Sequence, residues 1–183
     1  MRSDLSNREL AYCGLFGAAA LMLPFLFHLV RLGHIFMPMY IPLVALAFFV
    51  GPVPAAITAF VTPLLSGLLT GMPPFFPPVA VFMAVELAVM CFLISLAMRL
   101  RPGTSTLLVL VPVLVAGRAL HVAMVFGFSK LVLLPAGFMA GVSLITGWPG
   151  LILMVIVIPP VAMTGRKLAR KRMELTGGSD GDL

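Results

Sequence analysis

Apolar runs of membrane length, separated by short polar or Pro-Gly breaks, account for most of this chain. A bilayer core takes about 20 apolar residues per helix. The first run follows the polar start MRSDLSNREL and predicts a helix over residues 9–31. No A-x-A exit follows it, so it is expected to be retained as a first span rather than cleaved. Further helices are predicted over residues 39–50, 54–70, 78–100, 106–128 and 148–167. The second is too short to span comfortably, and such a helix is tolerated where it is buried in protein or lines a cavity. Residues 131–146 carry Pro135, Gly137 and Gly141 and do not read as a full span. The tail TGGSDGDL is polar and Gly-rich, and is expected to be disordered. The chain is therefore expected to hold one transmembrane domain over residues 1–172 and a polar tail over 173–183.

Basic residues orient the spans. Arg2 and Arg8 precede the first helix, Arg99 and Arg101 lie between the fourth and fifth, and Arg166, Lys167, Arg170, Lys171 and Arg172 follow the sixth. Six spans put all three groups on one side, which the positive-inside rule makes cytoplasmic. A seventh span at 131–146 would put the densest cluster outside, so that segment is expected to be re-entrant or interfacial. The predicted fold is an all-α integral membrane protein: a six-helix transmembrane bundle with N and C termini cytoplasmic, in the cell membrane.

Composition agrees. The chain is 61% hydrophobic and 10% charged, against about 25% charged in a soluble domain, and its mean hydropathy is +1.16. The net charge of +6 sits at helix ends and is accounted for by topology, not by nucleic-acid binding. Cys13 and Cys91 lie in apolar runs without metal spacing and read as small packing residues.

Two outer turns stand out. HIFMPMY contributes His34, Met37, Met39 and Tyr40, and TGMPPFFPP follows the third helix. Loops of Met, aromatic and Pro residues over the mouth of a small bundle suggest a lidded pocket for a small molecule; an interfacial loop with aromatic anchors is the plainer alternative. Trp148 opens the sixth helix as an interface anchor or a stacking wall for a planar ligand.

Ionisable groups within spans are expensive and are candidates for function. Here they are His28, Glu86, Arg118 and His121. Glu86 and Arg118 are expected at similar depths, roughly 12 and 15 Å from the outer end, with His121 one turn above Arg118 on the same face. They read either as a structural ion pair or as groups that bind an anionic or polar part of a ligand, with Glu86 orienting Arg118 and His121. His28, beside Arg31, reads as interfacial. The small residues Gly14, Gly17, Ala18, Ala19 and Ala20 of the first helix allow close helix approach, within the bundle or against a partner. There is no Walker P-loop, no H-E-x-x-H or Cys/His cluster, no DxxD motif and no Ser/His/Asp set. ATP hydrolysis by this chain, a metal site and a cofactor are therefore not expected, and an enzyme has a thin inventory to work with.

The stretch GHIFMPMYIPLVALAFFVGPVPAAITAFVTPLLSGLLTGMPP, with Glu86, Gly117-Arg118 and TGWPGLILMVIVIPP, resembles the substrate-binding S components of energy-coupling factor (ECF) transporters, which take up vitamins. The resemblance spans about residues 15–163. It implies six helices with both termini inside, and a ligand site in the outer half under the loop after the first helix. It implies docking of a small-residue face, here Gly14, Gly17 and Ala18, on a shared transmembrane subunit driven by two ATPases. It further implies a small water-soluble vitamin or related micronutrient as cargo, contacted by His34, Met37, Tyr40, Glu86, Arg118, His121 and Trp148. Met154 stands where the resemblance leads one to expect a polar Gln. Two other classes stay open: a small membrane enzyme or assembly factor acting on lipids, and a purely structural membrane subunit.

Overall fold

A computed structural model describes residues 6–29, 37–76, 78–131 and 148–165. Six helices lie within the described residues: α1 (Asn7–Leu29), α2 (Tyr40–Leu46), α3 (Pro52–Thr70), α4 (Val79–Leu100), α5 (Thr106–Leu131) and α6 (Trp148–Gly165). No strand is present among these residues. α3, α4, α5 and α6 are each long and apolar enough to cross a bilayer, and the 23 residues of α1 give it span length as well. Large apolar side chains cover the outer faces, Leu10, Leu15, Met22 and Leu26 on α1 and Ile57, Val61 and Leu68 on α3 among them. In water such a surface would be an aggregation liability. It fits a helical membrane protein, whose outer surface meets lipid.

The shortest helix is at the centre. α2 has 7 residues, about 10 Å of rise, and packs against α1, α3 and α4. Leu43, Val44 and Leu46 have no exposed surface. The longer helix expected over 39–50 gives way after Leu46 to tight turns, in which Phe48 N–H bonds to Ala45 O and Phe49 N–H to Leu46 O. The next helix starts at Pro52, two residues earlier than expected. Proline suits a first-turn position, where its missing N–H costs nothing, and Gly51 supplies the extended N-cap. At its far end α3 stops at Gly71, whose φ of 73° is a left-handed cap conformation that glycine adopts without penalty. α5 runs three residues past its expected end, because no Gly or Pro interrupts it between Phe128 and Leu131.

Cross-contacts fix the directions. Tyr40 meets Glu86, the Cys91 thiol donates to Leu43 O, and the Ser95 hydroxyl donates to Val50 O at 2.6 Å. Position rises together on both strands of contact, so α2 runs parallel to α4. Glu9 Oε1 accepts from Gly51 N–H at 2.9 Å and from Arg99 Nη2 at 3.2 Å. A Cβ on Gly51 would strike the Arg99 guanidinium, so glycine is what lets Arg99 lie over that turn. The end of α6 also arrives there, with Gly165 against the Phe49 ring. We call this end basal and the end carrying Met37, Tyr40 and Gly71 apical. α1 starts and α6 ends at the basal end. Leu131, the first residue of the segment 131–146 expected to be re-entrant, belongs to α5; the rest of that segment and the tail lie outside the described residues.

Candidate functional site

Of the three ionisable residues expected to meet inside the bundle, Glu86 and His121 are in contact near its apical end, and Arg118 lies buried one turn before His121. Glu86 is seven residues into α4, about 10 Å of rise, and is 2% exposed. The Tyr40 hydroxyl, from the first turn of α2, donates to Glu86 Oε2 at 2.5 Å. His121 Nδ1 of α5 lies 2.8 Å from the same oxygen. The Tyr40 hydroxyl thus donates to this oxygen while the His121 imidazole stands beside it from a second neighbouring helix, with Tyr40 2% and His121 7% exposed. A carboxylate taken out of water is tolerated when such donors and opposite charge surround it.

Arg118 lies one helical turn before His121 and is 7% exposed. Its Nη1 is 3.9 Å from the Met37 sulfur. Met37 itself has φ 46°, a left-handed conformation that costs a non-glycine residue roughly 1–2 kcal/mol. Its carbonyl accepts from Tyr40 N–H at 2.9 Å, so the strained residue both starts α2 and brings its thioether to the arginine. Close packing of α5 on α4 makes this arrangement reachable. A Cβ on Gly117 would overlap Met90 Sδ and Cγ, so Gly117 sets how near Arg118 and His121 come to α4.

Of the residues singled out in the sequence, the structure brings Tyr40, Glu86 and His121 together and puts Met37 beside Arg118; the outer turn expected to hold Tyr40 and Met37 instead has Tyr40 buried against Glu86 and Met37 partly buried. Sequence reasoning missed Phe82. That ring stands edge-on to His121 at 6.5 Å between centroids and to Phe128 at 5.8 Å, and holds the imidazole from the apical side. The signal was its i, i+4 spacing to Glu86 on one face of α4. His34 lies outside the described residues, as does the side chain of His28. Trp148 opens α6 with 58% of its surface exposed, which suits an interface anchor better than a wall buried with Glu86.

The small residues of α1 divide. Gly14 and Ala18 sit on the exposed face with Leu15 and Met22, and nothing lies within 4 Å of where a Gly14 Cβ would be. Gly17 turns inward, 3.6 Å from Thr58 Cγ2 by the same measure, and so packs α1 on α3. Met154, at the position where a Gln was expected, is 1% exposed in the core. Its thioether makes that part of the interior apolar.

Two cavities lie away from the Glu86 cluster. One, of about 320 Å³, is basal and bordered by Phe48, Phe49, Ser95, Met98, Arg99 and Pro102. The other, of about 220 Å³, is an apolar groove between α1, α2 and α6. No group of three or more potential metal ligands is found among the described residues. No protein-family model, characterised protein or solved structure matches this chain.

Proposed function

We propose that this chain is a membrane-embedded substrate-capture subunit of the ECF type, which binds a small water-soluble vitamin or related micronutrient at the outer face of the cell membrane. The observation that carries the reading is the buried set of Tyr40, Glu86, Arg118 and His121, gathered from three helices near the apical end. Polar groups concentrated in one place inside an otherwise apolar bundle are how small-ligand sites gain orientation and specificity. In this reading the apical end faces outward and both termini are cytoplasmic, in keeping with the basic residues at the basal end. Six membrane passes place α2 as a short internal pass. Transport energy comes from two partner ATPases through a transmembrane subunit, since the chain has no nucleotide motif. Gly14 and Ala18, open on α1, belong to the surface offered to that subunit.

Native mass spectrometry of the detergent-purified protein tests this. The expected result is a stoichiometric water-soluble compound that disappears in Arg118→Ala while the fold survives. A bound lipid in its place, or no ligand even after incubation with a panel of vitamins, sinks the reading.

A further inference from the structure

We propose that the groove between α1, α2 and α6 holds one acyl chain of an anionic phospholipid from the basal leaflet, with the lipid phosphate held at Arg8. The inference goes beyond the capture reading and does not depend on it. The groove has a volume of about 220 Å³, and its lining is wholly apolar, with Leu15, Ala19 and Leu23 from α1, Ala45 from α2, and Val157 and Val161 from α6. Leu15 is 66% and Val161 38% exposed, so the rim opens on the outer surface of the bundle. A cavity lined by apolar side chains stays dry and accepts apolar guests. Inside a bilayer the apolar material at hand is acyl chain.

The groove face of α1 leads to a cation. Arg8, Tyr12, Leu15, Ala19 and Leu23 follow one another at steps of three or four residues, which sets them along one stripe of the helix. The Arg8 guanidinium lies over the Tyr12 ring at 5.6 Å and its Nη2 is 3.4 Å from the Tyr12 hydroxyl. Tyr12 and Phe16 both pack on Phe49, and Gly165 at the end of α6 lies against the same ring. The two walls of the groove thus converge at a basal mouth that carries Arg8, and Arg166 and Lys167 follow α6 in the sequence. The one acid nearby is turned away: Glu9 accepts from Gly51 N–H and from Arg99. Depth agrees as well. Leu15 and Leu23 lie roughly 10 and 23 Å along α1 from Arg8. A headgroup layer of about 5–8 Å and half of a hydrocarbon core of about 30 Å end roughly 20–23 Å from the membrane surface. With Arg8 at phosphate level, where a guanidinium makes paired hydrogen bonds to phosphate oxygens, the groove lies within the hydrocarbon of one leaflet. In the proposed orientation that leaflet is the cytoplasmic one, where anionic lipids give the surface its negative potential.

Native mass spectrometry of the delipidated chain tests this, after incubation with phosphatidylglycerol and phosphatidylcholine of the same acyl composition. The expected result is one phosphatidylglycerol retained per chain in preference to phosphatidylcholine. Arg8→Gln should cut that preference about fivefold, the worth of one basic side chain at an anionic surface. Ala19→Phe, which fills the groove, should lose the bound lipid. Should that variant fail to fold, phosphatidylglycerol with a photoreactive acyl chain is crosslinked to the unaltered chain in vesicles. Labels are then expected on residues 15–23 and 157–161. Equal retention of the two lipids, an unchanged preference in Arg8→Gln, or a lipid kept by folded Ala19→Phe overturns the inference. So do labels spread evenly onto the exposed face of α3, or a dimer of this chain that excludes lipid from the groove. A lipid in the groove is kept in Arg118→Ala, so these outcomes stand apart from those of the capture test.

Discussion

Tyr40 and Glu86 are 46 positions apart, and their contact is the most consequential at the residue scale. Tyr40→Phe keeps the ring but removes the O–H from Glu86 Oε2, and a buried acceptor that loses a donor costs about 1–3 kcal/mol. We expect a lower thermal midpoint in detergent; a Tyr40→Phe protein that melts with the parent would contradict the contact. Glu86→Gln goes further, because it deletes the buried carboxylate that accepts from Tyr40 and faces His121, and removing a member of a buried charged set costs roughly 3–5 kcal/mol. It should therefore melt below Tyr40→Phe in the same assay. Glu86, Arg118 and His121 were legible in the sequence because ionisable residues in apolar runs are conspicuous. The role of Tyr40 was not, since nothing local distinguishes a tyrosine that seals a carboxylate from one that anchors a loop. Nor was the left-handed φ of Met37, which belongs to a position where glycine would be the unstrained choice.

At the scale of elements, the helix pattern was readable from apolar run length and Pro-Gly punctuation. The boundaries that shifted did so for local reasons: Pro52 starts a helix early, and α5 continues to Leu131 through residues that hold no Gly or Pro after Phe128. The depth of α2 in the core was only partly readable. Its shortness said that it needed shelter, but α4 as its parallel neighbour is a matter of long-range contact. The α4–α5 seam is the most testable packing feature. A methyl on Gly117 must displace Met90, which is 1% exposed, and overpacking of this kind costs about 1–3 kcal/mol. Gly117→Ala should lower the midpoint, and a double-mutant cycle with Met90→Ala should return a favourable coupling of about 0.5–3 kcal/mol. Additivity of the two would mean that the seam is looser than described. The Gly51–Arg99 contact had the same physical origin but no signal, since Arg99 reads from sequence as a topology charge alone.

At the scale of the whole molecule, Glu9, Gly51 and Arg99 bring the start of α1, the α2–α3 turn and the end of α4 to one end, and Gly165 brings the end of α6 there too. The proposed orientation then predicts opposite accessibilities for two positions. With Cys13 and Cys91 replaced, a single cysteine at Ser105 should react with an impermeant maleimide only after permeabilisation, and one at Met72 should react in intact cells. The reverse pattern would invert the molecule in the membrane. The brevity of α2 also bears on how the chain is made. A segment of 7 helical residues cannot hold a transmembrane position by itself as it leaves the ribosome. It is retained only once α3 and α4 have emerged to enclose it. A nascent chain halted at Val50 has one anchored helix and a loose apolar end; lengthening it through Leu100 converts that end into the middle of the protein. Insertion of this protein therefore proceeds by groups of helices, and its central element is secured only after the two helices that follow it have emerged.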